Sequence, residues 1–166
     1  MKTYKPRIAD YILQRKLEGK GAVLIEGTKW CGKTTTAKQH AKSALMLGNT
    51  AVLKNSLETL ELAPELLMEG SVPRLFDEWQ TVPALWDLIR SEVDERGETG
   101  QFILPGSSVL PDVYETIHSG TGRITRLKMR PMSLYESGES NGNCQVCGRA
   151  LICLSSKKLI LRTYPS

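Results

Sequence analysis

The chain has 166 residues, of which 40% are apolar and 24% are charged, a composition that fits one globular domain and excludes a disordered or fibrous protein. No uninterrupted apolar run approaches the roughly 20 residues that a membrane-spanning helix needs, and the N-terminal residues lead into no hydrophobic signal segment. We therefore expect a cytoplasmic protein without a membrane segment.

The charge is unevenly divided along the chain. The net charge is +4, and residues 143–166 contain four basic side chains and no acidic one, so residues 1–142 are neutral. A neutral body lacks the basic face that binds nucleic acid. We do not expect nucleic acid as a partner of this part of the chain.

The first predicted elements are a strand, a loop and a helix. Residues 22–26 begin with four apolar residues between glycines, which predicts a short buried strand. A glycine-bearing loop follows, and residues 33–42 contain good helix formers and no breaker. Residues 43–47 either close this helix or form a second strand.

The next predicted elements again alternate between helix and strand. Residues 55–69 have apolar residues at helical spacing, with Pro64 marking a break or the first turn of a new helix. Residues 72–76 predict a strand, residues 82–96 a helix with one apolar face, and residues 101–104 a further strand. This alternation indicates an α/β fold, with a mainly parallel sheet covered on both faces in three αβα layers.

Residues 27–34 read G-T-K-W-C-G-K-T and match the phosphate-binding pattern G-x-x-x-x-G-K-[ST] between a strand and a helix. Backbone N–H groups of such a loop converge on phosphate oxygens, and the following helix directs the positive end of its dipole at the same anion. Lys33 is expected to neutralise the β and γ phosphates, and the Thr34 hydroxyl to ligate Mg²⁺. The predicted nucleotide-binding residues of this loop are Gly27, Thr28, Lys29, Trp30, Cys31, Gly32, Lys33, Thr34 and Thr35.

Two side chains of this loop allow more than one interpretation. Trp30 is interpreted as an anchor of the loop or a lid on the core, with stacking on adenine as the alternative. Cys31 is interpreted as a small space-filling residue. Its alternative is a reactive thiol, because a helix N-terminus can lower the pKa of a nearby cysteine.

A pair of acidic residues follows the strand predicted at residues 72–76. Asp77 comes 43 residues after Thr34, a separation typical of the next metal-binding strand in such folds. We predict that Asp77 contributes to a Mg²⁺ site and that Glu78 polarises an attacking water. The alternative for an isolated acidic pair is a solvated turn.

Three further residues are candidates for the same site. Ser107 follows the strand predicted at residues 101–104, where its hydroxyl could sense the γ phosphate, although a polar loop is the alternative. Arg123 and Arg126 follow a glycine turn, a suitable place for an arginine that stabilises transition-state charge in a neighbouring subunit. A surface or structural arginine is the alternative.

Five segments together resemble a prokaryotic family of AAA-type P-loop ATPases: residues 21–37, 77–80, 102–104, 118–124 and 130–136. The similarity covers residues 4–142. It implies a P-loop NTPase core that binds ATP and Mg²⁺, with residues 27–34 as Walker A and Asp77-Glu78 as Walker B. It also implies homo-oligomers in which an arginine acts in trans, with Lys33, Glu78 and Arg123 as catalytic residues.

The sequence departs from that family in two ways. Pro105 stands where the family typically has a threonine, which removes a hydroxyl and a backbone donor at the sensor strand. Members of the family usually continue into a winged-helix-like segment and a nuclease-like C-terminal domain of unknown function, whereas this chain stops at Ser166. The resemblance therefore implies an ATP-binding domain at residues 1–142 that lacks its lid and its C-terminal domain.

The tail at residues 143–166 has a different composition. Cys144, Cys147 and Cys153 imitate part of a zinc ribbon, but a fourth ligand is missing nearby. We hypothesise instead that the tail is translated out of frame. When residues 142–148 are translated back into their possible codons and these are read two bases later, the new frame permits a sequence with an ordinary mixture of polar and apolar residues.

The predicted function is Mg²⁺-dependent hydrolysis of ATP to ADP and phosphate, with weak turnover in a truncated chain. The alternative is a nucleotide-binding switch module or a degenerate fragment without catalysis. A small-molecule kinase is disfavoured, because Asp-Glu followed by Trp-Gln is typical of a water-activating motif.

Overall fold

A computed structural model describes residues 3–106 and 123–140, together with the backbone of three strands within residues 144–163. The chain divides into two compact units, one formed by residues 9–131 and the other by residues 1–8 and 132–166. In the described part of the chain, no helix combines the length and the apolar character that crossing a membrane requires.

The larger unit contains a five-stranded sheet in the order β2-β3-β4-β1-β5, in which every neighbouring pair is parallel. Its strands are β1 (Ala22–Gly27), β2 (Ser43–Met46), β3 (Arg74–Asp77), β4 (Phe102–Pro105) and β5 (Ile124–Met129). The described helices are α1 (Ile8–Gly19), α2 (Lys33–His40), α3 (Thr50–Leu62) and α4 (Ala84–Arg96), with 3₁₀ turns at Pro64–Leu67 and Trp79–Thr81.

Alternating side chains of the strands point into two apolar layers. On β1, Ala22 and Leu24 join a layer that packs against α3 and α4, whereas Val23 and Ile25 join a layer that packs against α1 and α2. Parallel strands buried on both faces are the usual reason for short, continuous apolar runs in a sequence. The predicted three-layer αβα fold with a parallel sheet is confirmed.

Most predicted elements form close to their predicted bounds. Residues 43–46 are a strand, so the alternative in which they close the preceding helix is wrong. The helical run predicted at residues 55–69 begins earlier, at Thr50, where the Asn49 side chain accepts hydrogen bonds from the Ala51 and Val52 N–H groups. Pro64 does break it and begins a 3₁₀ turn. Helix α1 and strand β5 were not predicted.

The smaller unit contains a short helix, α5 (Leu134–Ser137), and an antiparallel sheet of β6 (Cys144–Cys147), β7 (Ala150–Leu154) and β8 (Leu159–Thr163). The side chains of Cys144, Cys147 and Cys153 lie outside the described residues. The out-of-frame origin of this segment stays a prediction.

A polar cluster of the smaller unit surrounds Glu136. Its carboxylate accepts hydrogen bonds from the Ile8 and Ser133 N–H groups, both at 2.8 Å, and from the Arg7 guanidinium at 3.0 Å. The Ser133 hydroxyl and Glu136 also form a capping box at the start of α5. Burial alone would raise the pKa of Glu136, but these hydrogen bonds lower it from 4.5 to about 2.

Candidate functional site

A cavity of about 560 Å³ opens at the carboxyl edge of the five-stranded sheet. Its walls are the loop after β1 and the first turn of α2, together with Asp77 at the end of β3, Glu78 directly after it, and Pro105 and Gly106 at the end of β4. Ligands of open parallel sheets bind at this edge, where connections from neighbouring strands run in opposite directions. The fold therefore brings the two predicted motifs to one place.

Glycine is required at two positions of the loop between β1 and α2. A Cβ at Gly27 would overlap the carbonyl oxygen of Met129 and would lie 2.9 Å from the Cys31 sulfur. Gly32 has φ +96°, in the left-handed region that glycine adopts without strain, and its carbonyl accepts the Thr36 N–H at 2.9 Å. The loop thus turns directly into α2, whose first N–H groups have no acceptor within the helix.

The ammonium group of Lys33 lies on this loop. Its Nζ donates hydrogen bonds to the carbonyl oxygens of Gly27 at 2.8 Å and Thr28 at 2.9 Å. An ammonium has three donors, so one more hydrogen bond is available without breaking these two. The loop and Lys33 together place a positive charge beside the N-terminus of α2, an arrangement suited to a phosphate group.

Thr34 and Asp77 meet at the floor of the cavity. The Thr34 hydroxyl donates a hydrogen bond of 2.7 Å to the Asp77 carboxylate, which is only 8% exposed. A hydroxyl and a carboxylate are hard oxygen ligands of the kind that Mg²⁺ prefers. In the described residues no group of three or more His, Cys, Asp or Glu could hold a metal. Mg²⁺ does not require such a group, because in nucleotide sites it is usually bound by one or two protein oxygens together with phosphate oxygens and waters.

Glu78 begins the turn that follows Asp77. Its φ of +54° is in the left-handed region, and its carbonyl accepts hydrogen bonds from the N–H and the hydroxyl of Thr81, at 3.0 and 2.8 Å. Its carboxylate accepts a hydrogen bond of 2.5 Å from the Gln80 side chain. The sequence motif Asp-Glu-Trp-Gln includes Gln80 but assigns it no role of its own, and its place two residues after a candidate catalytic glutamate was the signal that the sequence offered.

The two ambiguous loop residues have opposite environments. Trp30 is 91% exposed at the cavity with φ +69°, so its interpretation as a loop anchor or core lid is wrong. Cys31 is 3% exposed and packs in the apolar layer with α1 and α2, which favours the space-filling interpretation over a reactive thiol. The neighbouring Lys29 and Thr35 both line the cavity.

The two candidate arginines do not line the cavity. Arg123 precedes β5 and forms an ion pair with Asp94 of α4. The register of β1 and β5 pairs Ala22 with Ile124 and Gly27 with Met129, which puts Arg123 roughly 20 Å from the phosphate loop along the strands. Arg126 contacts Glu26 at 3.4 Å. Ser107 lies outside the described residues.

Comparison with known proteins supports the resemblance seen in the motifs. The family AAA_14, described as an AAA domain, matches residues 19–138. Two curated relatives are the uncharacterized proteins Mb2031c of Mycobacterium bovis and Rv2008c of Mycobacterium tuberculosis, each 28% identical over 130 residues. The matched region covers 77% of this chain and 29% of each relative, so the chain spans less than a third of their length.

Proposed function

The chain belongs to the AAA domain family, and on that premise we propose that it binds ATP with Mg²⁺ in the cavity at the carboxyl edge of the sheet and hydrolyses it to ADP and phosphate. The proposal extends beyond the nucleotide binding that the family suggests, because it assigns the reaction and the residues that perform it.

One observation carries the proposal: the Lys33 ammonium, the Thr34 hydroxyl and the carboxylates of Asp77 and Glu78 border a single cavity, although they come from two distant segments. A triphosphate needs a cation and convergent N–H groups, and its Mg²⁺ needs a few hard oxygen ligands. The cavity offers each of these.

The loop and Lys33 would hold the β and γ phosphates. Thr34 and Asp77 would hold Mg²⁺, which when bound draws charge from the phosphate oxygens. Because the Thr34 hydroxyl donates a hydrogen bond to Asp77, the two oxygens are already close enough to bind the same cation. Little rearrangement of the protein would be needed for binding.

Glu78 would orient the attacking water and accept its proton. The water oxygen forms a bond to the γ phosphorus while the bond from that phosphorus to the β–γ bridging oxygen breaks, leaving ADP and phosphate. The role of Arg123 in a neighbouring subunit remains a prediction, because within its own chain it lies at the opposite end of β5 from the loop.

A nucleotide-binding module without turnover is the second candidate, and Pro105 favours it. Pro105 ends β4 at the wall of the cavity, opposite Ile25 of β1, and it brings neither a hydroxyl nor an N–H to that wall. Such a module would bind the nucleotide as tightly and would release no phosphate.

A phosphate-release assay with ATP and Mg²⁺ distinguishes these candidates. We expect slow release from the wild-type chain and a loss of at least about tenfold in Glu78→Gln, a typical contribution of a general base being 10²–10⁴-fold. Glu58→Gln, which makes the same change on the exposed face of α3, is the control and should leave release unchanged. Nucleotide binding without release from the wild-type chain would favour the second candidate.

A further inference from the structure

We propose that Gln80 is a positioning residue that holds the carboxylate of Glu78 at the cavity. The inference rests on the proposed function in one respect, since it assigns Gln80 a part in the hydrolysis for which Glu78 is the base. The hydrogen bond on which the inference is based does not depend on the proposed function: the Gln80 Nε2 donates to Glu78 Oε2 at 2.5 Å.

The turn that carries both residues is firmly held. Trp79, which lies between them, is 1% exposed and stacks against Trp86, with 5.3 Å between the ring centroids. Thr81 donates two hydrogen bonds to the Glu78 carbonyl. The Gln80 side chain therefore reaches Glu78 from a backbone that is fixed on both sides.

Glu78 itself needs such a partner. Its φ of +54° is one that residues other than glycine, asparagine and aspartate adopt infrequently, and such conformations cluster at functional sites. Its side chain is at an exposed position, where a free glutamate would sample several rotamers. A hydrogen bond from Gln80 selects one of them and leaves the carboxylate with acceptor capacity for a water.

The opposite end of the Gln80 amide is packed against the end of β4. Its Oε1 is buried, has no hydrogen-bond partner in the described part of the chain, and lies 3.5 Å from where a Cβ would stand at Gly106. Exchanging the amide oxygen and nitrogen would set two acceptors against each other at Glu78, so the donor must face the carboxylate. The Gln80 side chain thus lies between the Glu78 carboxylate and the end of β4.

The first test separates positioning from binding. In Gln80→Leu we expect kcat for phosphate release to fall by about tenfold, the equivalent of one lost hydrogen bond of about 1.4 kcal/mol, while KM for ATP stays within about twofold. Gln39→Leu makes the same change at an exposed site on α2 and should alter neither constant. A loss of kcat no greater than in the control, or a loss confined to KM, would overturn the proposal.

The second test does not depend on turnover. In ¹⁵N-labelled wild-type protein, the side-chain amide of Gln80, assigned by its disappearance in Gln80→Leu, should have one proton shifted downfield by the carboxylate. Glu78→Gln should move this resonance and Glu58→Gln should not. If the wild-type chain released no phosphate, hydrolysis would be refuted while this spectrum still decided the contact. A Gln80 resonance that is unmoved by Glu78→Gln would refute the role of Gln80.

Discussion

The hydroxyl of Thr34 and the carboxylate of Asp77 are joined by a hydrogen bond of 2.7 Å that spans 43 residues of sequence. It ties the first turn of α2 to the end of β3, the two elements that carry the phosphate-binding loop and the acidic pair. A cation bound to both oxygens would take the place of this hydrogen bond, and the Thr34 hydroxyl would keep its proton and turn it towards another acceptor. This relationship makes the Mg²⁺ dependence of nucleotide binding a direct test of the site.

Thr34→Val removes the hydroxyl at nearly constant volume. We expect it to reduce the gain in ATP affinity that Mg²⁺ provides by about tenfold or more, since one ligand of the cation is lost, and to leave affinity in EDTA within a few-fold of wild type. Titration of a fluorescent ATP analogue with and without Mg²⁺ measures both. Thr50→Val at the exposed start of α3 is the matched control, and an equal Mg²⁺ effect in both variants would argue against Thr34 as a ligand.

Gly27→Ala tests the close approach of the loop to β5. The added Cβ would meet the Met129 carbonyl and the Cys31 sulfur, so we expect the free energy of unfolding to fall by about 1–3 kcal/mol. Gly19→Ala at the end of α1 is the control. A Cβ there meets nothing within 4 Å, and the change should be neutral or stabilising by up to about 1 kcal/mol. Urea unfolding compares the two, and equal midpoints would contradict the geometry of the loop.

Trp30 should report on ligand binding through its fluorescence. It is 91% exposed at the cavity, whereas Trp79 and Trp86 are buried in the core, so a ligand in the cavity changes the surroundings of Trp30 first. We expect ATP with Mg²⁺ to reduce quenching by acrylamide in the wild-type chain and not in Trp30→Phe. Inorganic tripolyphosphate should act in the same way, because Trp30 belongs to the phosphate loop. A response to ATP alone would instead favour stacking of Trp30 on adenine.

Glu136 predicts the acid sensitivity of the smaller unit. Its pKa is about 2 in the folded chain, below the ordinary value of 4.5, so between these values the unfolded chain binds more protons than the folded one. The stabilisation is therefore complete above about pH 5 and decreases as the pH falls through 4.5 towards 2. Comparison of Glu136→Gln with wild type by chemical unfolding at pH 7 and pH 3 measures it. The variant should lose more stability at pH 7 than at pH 3, and an equal loss at both would contradict this account.

The fold and the central motifs were predictable because their signals are local. Glycines on both sides of a four-residue apolar run, followed by a lysine and threonines, specify a strand, a loop and a helix N-terminus without knowledge of distant residues. The parallel sheet follows from the alternation of strands and helices. Helix α1 was not predicted, although Ala9, Leu13 and Leu17 recur at helical spacing and are buried.

The parts that were not predictable depend on distant contacts. Trp30 and Cys31 are adjacent, and nothing local tells which of the two is buried, because the burial of Cys31 depends on its packing beside Gly27 and in the same apolar layer as Met129. Arg123 is far from the phosphate loop both along the sequence and in space, and its distance in space follows only from the register of β5 against β1. The hydrogen bond between Gln80 and Glu78 depends on the left-handed backbone conformation of Glu78. The sequence does not predict this conformation, because no glycine stands at that position.

Nucleotide binding at the phosphate loop is tested most directly by the affinity of the chain for ATP with Mg²⁺, measured by calorimetry in the wild type, Lys33→Ala and Lys38→Ala. Both variants remove one positive charge from α2, but Lys33 contacts the phosphate loop and Lys38 lies exposed one turn further on. We expect binding to be abolished in Lys33→Ala and unchanged in Lys38→Ala, and equal affinity of Lys38→Ala and wild type is the control. Equal affinity in the wild type and Lys33→Ala would contradict it.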